Sequence, residues 1–321
     1  MRNVSTYTTN IRLEKMATQI AFIGVGAMGG PMALRLVQAG LDVTVFDPSD
    51  KAADGLVQSG ARRAPSPAEA ASGKDIAFAC LPTPEISLEA ALGANGAVNA
   101  PGLRHYVEMS TIGSETVARI AQGLEARGIS VLDSPVSGGP RGAAAGTLTT
   151  MTAGAAETFA ACETVLRQIA GNVFYVGSRP GQGQVAKLAN NMISASAMVA
   201  SFEAVAMGVK AGIDADTLID LINVSTGRNG ATLDKFPQSI LTRSFDYGGK
   251  LGTMYKDVML CLAEYRGRDV PHHVSSAVAQ IWFQGMAEGR ANDDYTSLIK
   301  VIENWAGVEV RGRAAPPSEG A

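Results

Sequence analysis

Lys187 is where chemistry can begin. It stands in residues 181–211, GQGQVAKLANNMISASAMVASFEAVAMGVKA, where Glu203 and Lys210 are the other charges. Nothing in this run breaks a helix before Gly208 and Gly212, so the pattern predicts one long helix starting near Gln184. It is apolar on nearly every face, which predicts burial. A membrane span is the rival reading, and Asn190, Asn191, Ser194, Ser196, Ser201 and Glu203 make the run too polar for one. Lysine is almost never fully buried without a partner. Lys187 either snorkels out at the helix end or is held at a cleft, where burial and nearby charge tune its pKa for proton transfer. Asn191, four residues on, shares its face.

Residues 133–148, DSPVSGGPRGAAAGTL, carry a second kind of chemistry. Ser137, Gly138 and Gly139 offer a hydroxyl and backbone N–H groups with no side chains in the way, a composition that suits a small anion such as a carboxylate. Taken alone, the stretch also reads as a plain flexible loop.

The elements that must position these groups begin at residues 19–23, QIAFI, a short strand of the buried type. It runs into Gly24, Val25, Gly26, Ala27, Met28 and Gly29, and a helical pattern follows over residues 28–39. This is GxGxxG between a strand and a helix. The first glycine permits a tight turn, the second lets a pyrophosphate approach the backbone, and the third lets helix and strand pack closely. The helix N-terminus supplies N–H groups to the phosphates. A second strand, residues 43–46, ends in Asp47 at the spacing expected of the carboxylate that takes the adenosine ribose hydroxyls. Asp47 would repel a 2′-phosphate, so the cofactor is expected to be NAD rather than NADP. Arg62 and Arg63, on the next strand, are the residues that could pair such a phosphate instead. Read structurally, Asp47-Pro48 is only a turn.

Strand and helix signals then alternate. Residues 76–79, 105–108 and 129–132 read as strands, and 114–126 as a helix. A helix over 156–170 lies between strands at 149–153 and 172–176. The alternation predicts an α/β fold, a parallel sheet with helices on both faces. Ligands bind at the carboxyl ends of such strands, where Leu81, Pro82 and Thr83 and the Ser110-Thr111 pair would jointly line a crevice.

With 321 residues, 46% hydrophobic and 18% charged, the chain can fill two domains. The boundaries expected are 18–180 for dinucleotide binding and 181–306 for a helical substrate and oligomerisation domain. Residues 1–17 are expected to be a disordered extension and 307–321 a flexible tail. The first fifteen residues are polar and Thr-rich, unlike a secretory signal; a weak transit peptide or a true start at Met16 are the other readings. A net charge of −3 gives no general pull toward nucleic acid or an anionic membrane. Cys80, Cys162 and Cys261 form no CxxC pair, which suits a reduced, cytoplasmic protein. His105, His272 and His273 have no metal-ligand spacing, so no metal is expected.

Together these pieces resemble the β-hydroxyacid dehydrogenase family, whose members include 3-hydroxyisobutyrate dehydrogenase and tartronate semialdehyde reductase. The resemblance covers residues 18–306. It rests on FIGVGAMGGPMA at 22–33, STI at 110–112, DSPVSGGPRGA at 133–143, GQGQVAKLANN at 181–191 and YKD at 255–257. It implies a Rossmann-like domain, an all-helical domain and the lysine helix joining them, with homodimers or homotetramers usual. It also implies roles. Lys187 matches the catalytic lysine and Asn191 the asparagine beside it. Ser137, Gly138 and Gly139 match the substrate-carboxylate loop, Thr111 a residue near the nicotinamide, and Lys256 a lysine contacting the cofactor. 6-Phosphogluconate dehydrogenases look similar here but carry His where this chain has Asn190, and imine reductases lack the lysine.

The reaction so implied is hydride transfer between NAD and a small 3-hydroxy carboxylate: 3-hydroxyisobutyrate, glycerate or tartronate semialdehyde, or a short sugar acid. Lys187 would be general base and acid, its pKa lowered from lysine's ordinary ~10.4 by burial and nearby positive charge. Arg228 and Asn229 would suit polar groups at the far end of the substrate, or else form a solvated helix end. A dinucleotide-binding sensor or scaffold without turnover is the reading from another class; it would need the glycine loop and Asp47 but not Lys187 with Asn191.

Overall fold

The structure, a computed structural model, describes residues 18–316. The expected extension at 1–17 lies outside the described residues. From the amino end run β1 (Gln19–Ile23), α1 (Gly29–Gln38), β2 (Asp42–Phe46), α2 (Asp50–Gln58), β3 (Arg62–Arg63), α3 (Pro67–Ala71), β4 (Ile76–Ala79) and α4 (Pro84–Leu92). Then come β5 (His105–Glu108), α5 (Ser114–Glu125), β6 (Ser130–Asp133), β7 (Val136–Ser137), α6 (Gly139–Ala145), β8 (Leu148–Gly154), α7 (Ala156–Ile169) and β9 (Ala170–Gly177). The rest is helical: α8 (Gln182–Lys210), α9 (Ala215–Asn223), a wide π-type helix (Ala231–Ile240), α10 (Leu251–Arg266), α11 (His273–Ala287) and α12 (Ile299–Ala306).

The strands lie in the order β3-β2-β1-β4-β5-β6-β8-β7, with β9 on β8. The first six form the parallel order of a dinucleotide-binding sheet, which reverses direction between β1 and β4. Burial on both faces explains the near-continuous apolar strands. Ile20 and Phe22 meet Met32, Leu36 and Phe78 on one face. Ala21, Ile23, Ala77 and Ala79 meet Tyr106, Val117 and Ile120 on the other. The expectation of a parallel sheet holds from β3 to β6 and again for β8 with β9; the exception is at β8's other neighbours. β8 runs antiparallel to β6 and to β7, with α6 between β7 and β8.

α8 has 29 residues, roughly 44 Å at 1.5 Å per residue. By length and hydropathy it could cross a membrane, yet half of its most apolar window is buried inside the protein. Leu188, Met192, Met198, Phe202 and Val205 pack with Phe236, Val258, Trp282 and Ile299 in one core. Burial all round does not hold: Ile193 is 71% and Met207 70% exposed. Expected as a loop, Gly139 onward forms α6. The tail expected to be loose from Gly307 is held against the helices as far as Arg313. Val310 is fully buried, Gly312 N–H donates to Leu241 O, and Arg313 donates to Asp214 at 2.7 Å.

Candidate active site

The glycine loop follows β1 as expected. At Gly29 a Cβ would fall 1.9 Å from Gly24 O, so helix and strand can meet this closely only without a side chain. At Gly26 a Cβ would meet nothing within 4 Å. That open space over a bare backbone, at the start of a helix with no acidic residue in its first turn, fits a pyrophosphate. Asp47 ends β2 beside it: Oδ2 accepts from Val25 N–H at 2.9 Å and Oδ1 from Ser49 N–H at 2.9 Å. Its carboxylate therefore also fixes the loop. Arg62 pairs with Asp42 and Arg63 with Asp50, so both arginines are already engaged with acids.

From the glycine loop a continuous path leads to Lys187. Gly24 packs on Cys80 O and the Leu81 side chain. Leu81 N–H donates to Ser110 Oγ at 2.7 Å, which joins the loops after β4 and β5. Thr83 caps α4 by accepting from Ile86 N–H. Gln184, fully buried in the first turn of α8, holds the second loop. Its Oε1 accepts from Ile112 and Gly113 N–H at 2.9 and 3.1 Å, and its Nε2 donates to Ser110 O at 3.0 Å. Lys256 Nζ donates to Thr111 O.

α8 is seated by Asp133, at the end of β6. Asp133 accepts from Gly181 N–H at 2.9 Å and Gln184 N–H at 2.8 Å, satisfying donors that a helix start leaves unpaired. Burial pushes its carboxyl up to about 7, against the pull of those N–H groups. A Cβ on Gly183 would lie 2.2 Å from Met151 O, so the first turn rests directly on β8.

Five residues along α8 from Gln182, Lys187 is 7% exposed, as is Asn191. The snorkelling alternative is thereby removed. Burial pushes the Lys187 ammonium below its ordinary pKa, Asp257 draws it up and Lys256 pushes it down. Asn191 Nδ2 donates to Asp257 Oδ2 at 2.7 Å, and Lys256 Nζ lies 3.1 Å from Asp257 Oδ1. Asn190 Nδ2 donates to Asn191 Oδ1. Lys187, Asn191, Asp257, Lys256 and Thr111 are thus one cluster at the meeting of α8, α10 and the β5 end. A buried amine of lowered pKa beside an amide and a carboxylate is equipped to move a proton.

Ser137 pairs with Thr149 of β8, one strand from the Gly183 contact. Gly138 packs on Leu148, and a Cβ on Gly139 would meet nothing within 4 Å. The residues expected at the far end are placed otherwise. Asn229 Nδ2 donates to Ser201 Oγ at 3.1 Å and its Oδ1 accepts from Ala231 N–H at 2.8 Å. Ser201 lies fourteen positions beyond Lys187 on α8, roughly 21 Å along the axis. Asn229 caps the π-type helix there, and Arg228 is exposed; neither joins the Lys187 cluster. Sequence reasoning missed Asp133, Gln184 and Asp257 as working residues. Each stands in a quoted motif, Asp133 in DSPVSGGPRGA, Gln184 in GQGQVAKLANN and Asp257 in YKD, but none had a role assigned to it.

Two family models match the chain in succession. Residues 19–177 match the NAD binding domain of 6-phosphogluconate dehydrogenase, and residues 181–302 the NAD-binding part of NADP-dependent 3-hydroxyisobutyrate dehydrogenase. A Pseudomonas aeruginosa 3-hydroxyisobutyrate dehydrogenase is 39% identical over 254 residues, 77% of this chain and 85% of that protein. The 2-(hydroxymethyl)glutarate dehydrogenase of Eubacterium barkeri is 33% identical over 94% of this chain and 99% of its own. Among solved structures, Mycobacterium tuberculosis 3-hydroxyisobutyrate dehydrogenase with L-serine superimposes with a TM-score of 0.81 at 32% identity, over 89% of this chain and 99% of that one.

Proposed function

The chain belongs to the β-hydroxyacid dehydrogenase family and is an NAD-dependent hydroxyacid dehydrogenase, and from that premise we propose that Lys187 exchanges the hydroxyl proton of a small 3-hydroxy carboxylate. The observation that carries this reading is the buried Lys187, lowered in pKa and one helical turn from Asn191, which bonds Asp257. Bound NAD supplies the hydride acceptor. The glycine loop at residues 24–29 holds its pyrophosphate and Asp47 its adenosine ribose, with Leu81, Pro82, Thr83, Thr111 and Lys256 along the path to the reacting end.

In the oxidation, the carbon bearing the hydroxyl loses hydride and the hydroxyl loses its proton to the neutral Lys187 amine. In the reduction, the Lys187 ammonium returns that proton. Asn191 holds the amine or the hydroxyl in line. Lys256 keeps positive charge close to Lys187, which favours the neutral amine. Ser137, Gly138 and Gly139 anchor the carboxylate, and a remote anchor aligns the reacting carbon.

We further place the division of the chain at residues 18–180 and 181–306, and the protein in the cytoplasm as a homodimer or homotetramer. The test is a panel of 3-hydroxy acids with NAD, followed by the absorbance of reduced nicotinamide. Turnover that Lys187→Ala abolishes while NAD affinity persists supports the assignment. A Lys187→Ala enzyme that keeps more than about a tenth of wild-type kcat removes it, since general acid–base help is worth about 10²–10⁴.

A further inference from the structure

Glu264 takes no part in the proposed proton transfer, yet it grips the loop that carries Thr111. That loop leads straight into α5, and α5 starts without a cap of its own. The residue before it is Gly113, which has no side chain to accept from the first N–H groups. Glu264 supplies the acceptor from the helical half of the molecule. Its Oε1 accepts from Ser114 N–H at 2.7 Å and its Oε2 from the Ser114 hydroxyl at 2.8 Å. The Glu264 side chain is 11% exposed and pairs with Arg268, whose guanidinium also donates to Ser114 Oγ at 3.3 Å. A carboxylate at a helix start complements the positive end of the helix dipole.

Glu264 does not act alone. Lys256, Leu260 and Glu264 recur at intervals of four, so they share one face of α10. That face runs along the loop. Lys256 Nζ donates to Thr111 O at one end, and Glu264 holds Ser114 at the other. Between them Gly113, at φ +82, lies so near α10 that a Cβ would come 3.2 Å from Leu260 Cδ2. Gln184 of α8 holds the N–H groups of Ile112 and Gly113. Among the described residues, every side chain that hydrogen-bonds residues 111–114 thus comes from α8, α10 or the turn after it. The sheet half supplies the loop, and the helical half sets its position.

We propose that Glu264 is a positioning residue for hydride transfer. It acts through Ser114: by fixing that end of the loop it keeps Thr111 in place beside the nicotinamide, and Lys256 in place between Thr111 and Asp257. The inference rests on the reading of Thr111 and Lys256 as lying at the reacting end of NAD.

The experiment follows hydride transfer in a single turnover, with enzyme and NAD in excess. The substrate is 3-hydroxyisobutyrate, glycerate or a four-carbon sugar acid, whichever the wild type oxidises fastest. The rate is counted per bound NAD, so a misfolded fraction does not enter it. Glu264→Ala should slow the step by about tenfold to 10²-fold, the range that a displacement of roughly 1 Å can cost. The Kd for NAD should change by less than about threefold, because the glycine loop and Asp47 are untouched. Glu264→Gln keeps an oxygen for the Ser114 N–H and should restore most of the rate. If Glu264→Ala does not fold, Ser114→Ala, which removes the hydroxyl bond alone, should slow the step about threefold; an unchanged rate there overturns the inference. So does a wild-type rate in Glu264→Ala, a Glu264→Gln enzyme as slow as Glu264→Ala, or a loss that appears only as weaker NAD binding. Each of these leaves the Lys187 reading standing. If the wild type oxidises none of the acids although NAD binds, the proposed function falls and this inference with it.

Discussion

Asn191 donates to Asp257 at 2.7 Å, and that bond ties the helix carrying Lys187 to the helix carrying Lys256. Asp257 is 6% exposed and draws the Lys187 pKa up while burial lowers it. Asp257→Asn removes the charge and keeps the shape. The rising limb of the oxidation rate should then move to lower pH, because the neutral amine forms sooner. kcat should fall about tenfold or more as Asn191 loses a charged acceptor. Asp257→Glu should restore the position of the limb. A pH profile of kcat checks this; an unmoved limb with a reduced plateau would give Asp257 a packing role only.

Lys187 itself sets a sign for each direction of the reaction. With Lys187 as the proposed proton acceptor, oxidation needs its amine, so the rate should climb as pH rises through the lowered Lys187 pKa. Reduction needs the ammonium and declines through the same range. Opposite limbs that cross at one pH are expected when both directions are followed with saturating substrates. Two limbs running the same way would assign the titration to another group.

We propose that cofactor choice turns on Asp47. The enzyme is NAD-dependent, and Arg62 and Arg63 are paired with Asp42 and Asp50. Asp47→Ala should raise KM for NAD about tenfold or more, through loss of a charged hydrogen bond to the ribose, and narrow the gap to NADP. Because Asp47 also accepts from Val25 N–H, some of the loss should appear with both cofactors. Comparable catalytic efficiency of the wild type with NAD and NADP would show that Asp47 does not discriminate.

The glycine loop, Asp47 and the first five strands were legible because their signals are local: a short apolar strand, glycines at fixed offsets, a carboxylate at the next strand end. The lysine helix was legible from length and the absence of breakers. What seats that helix was not. Asp133 and Gln184 lie 51 positions apart, and Asp257 lies 66 from Asn191. No spacing rule links residues across such distances; only packing does. The helix over Ala231–Ile240 was hidden for a different reason. Pro237 reads as a breaker, yet it lies inside that wide helix. The packing of Val310 was masked by the Pro- and Gly-rich stretch that follows it.

Asn229 and Arg228 should part company in a melting experiment. Asn229 Oδ1 accepts from Ala231 N–H and its Nδ2 reaches Ser201 and Gly227. Asn229→Ala should cost about 1 kcal/mol as a lost cap, seen as a lower Tm. Arg228→Ala, at an exposed site, should stay within about 0.5 kcal/mol. If Asn229→Ala melts with the wild type, the cap contributes nothing and Asn229 is free for another role.

Glu108 carries the last prediction. It is fully buried at the end of β5. Its Oε1 accepts from Ser110 N–H at 2.9 Å, while Oε2 and the neighbouring Tyr106 hydroxyl have no hydrogen-bond partner. Burial pushes its carboxyl up to about 7, and Asp133 adds to the rise. In the unfolded chain it titrates near ~4.3. Between those values the folded protein holds a proton that the unfolded chain has released, so stability falls as pH rises from about 4 to about 7. The contribution is complete below the unfolded value and gone above the folded one. Glu108→Gln keeps the acceptor for Ser110 and places an amide opposite Tyr106. It should flatten part of that decline and make the protein more stable than wild type at pH 8, by about 1–3 kcal/mol. Asp133, raised to about 7 by its own burial, accounts for the slope that remains. Denaturant unfolding of both proteins across this pH range decides it: a Glu108→Gln curve parallel to that of the wild type would show that Glu108 is ionised in the fold at neutral pH and compensated there.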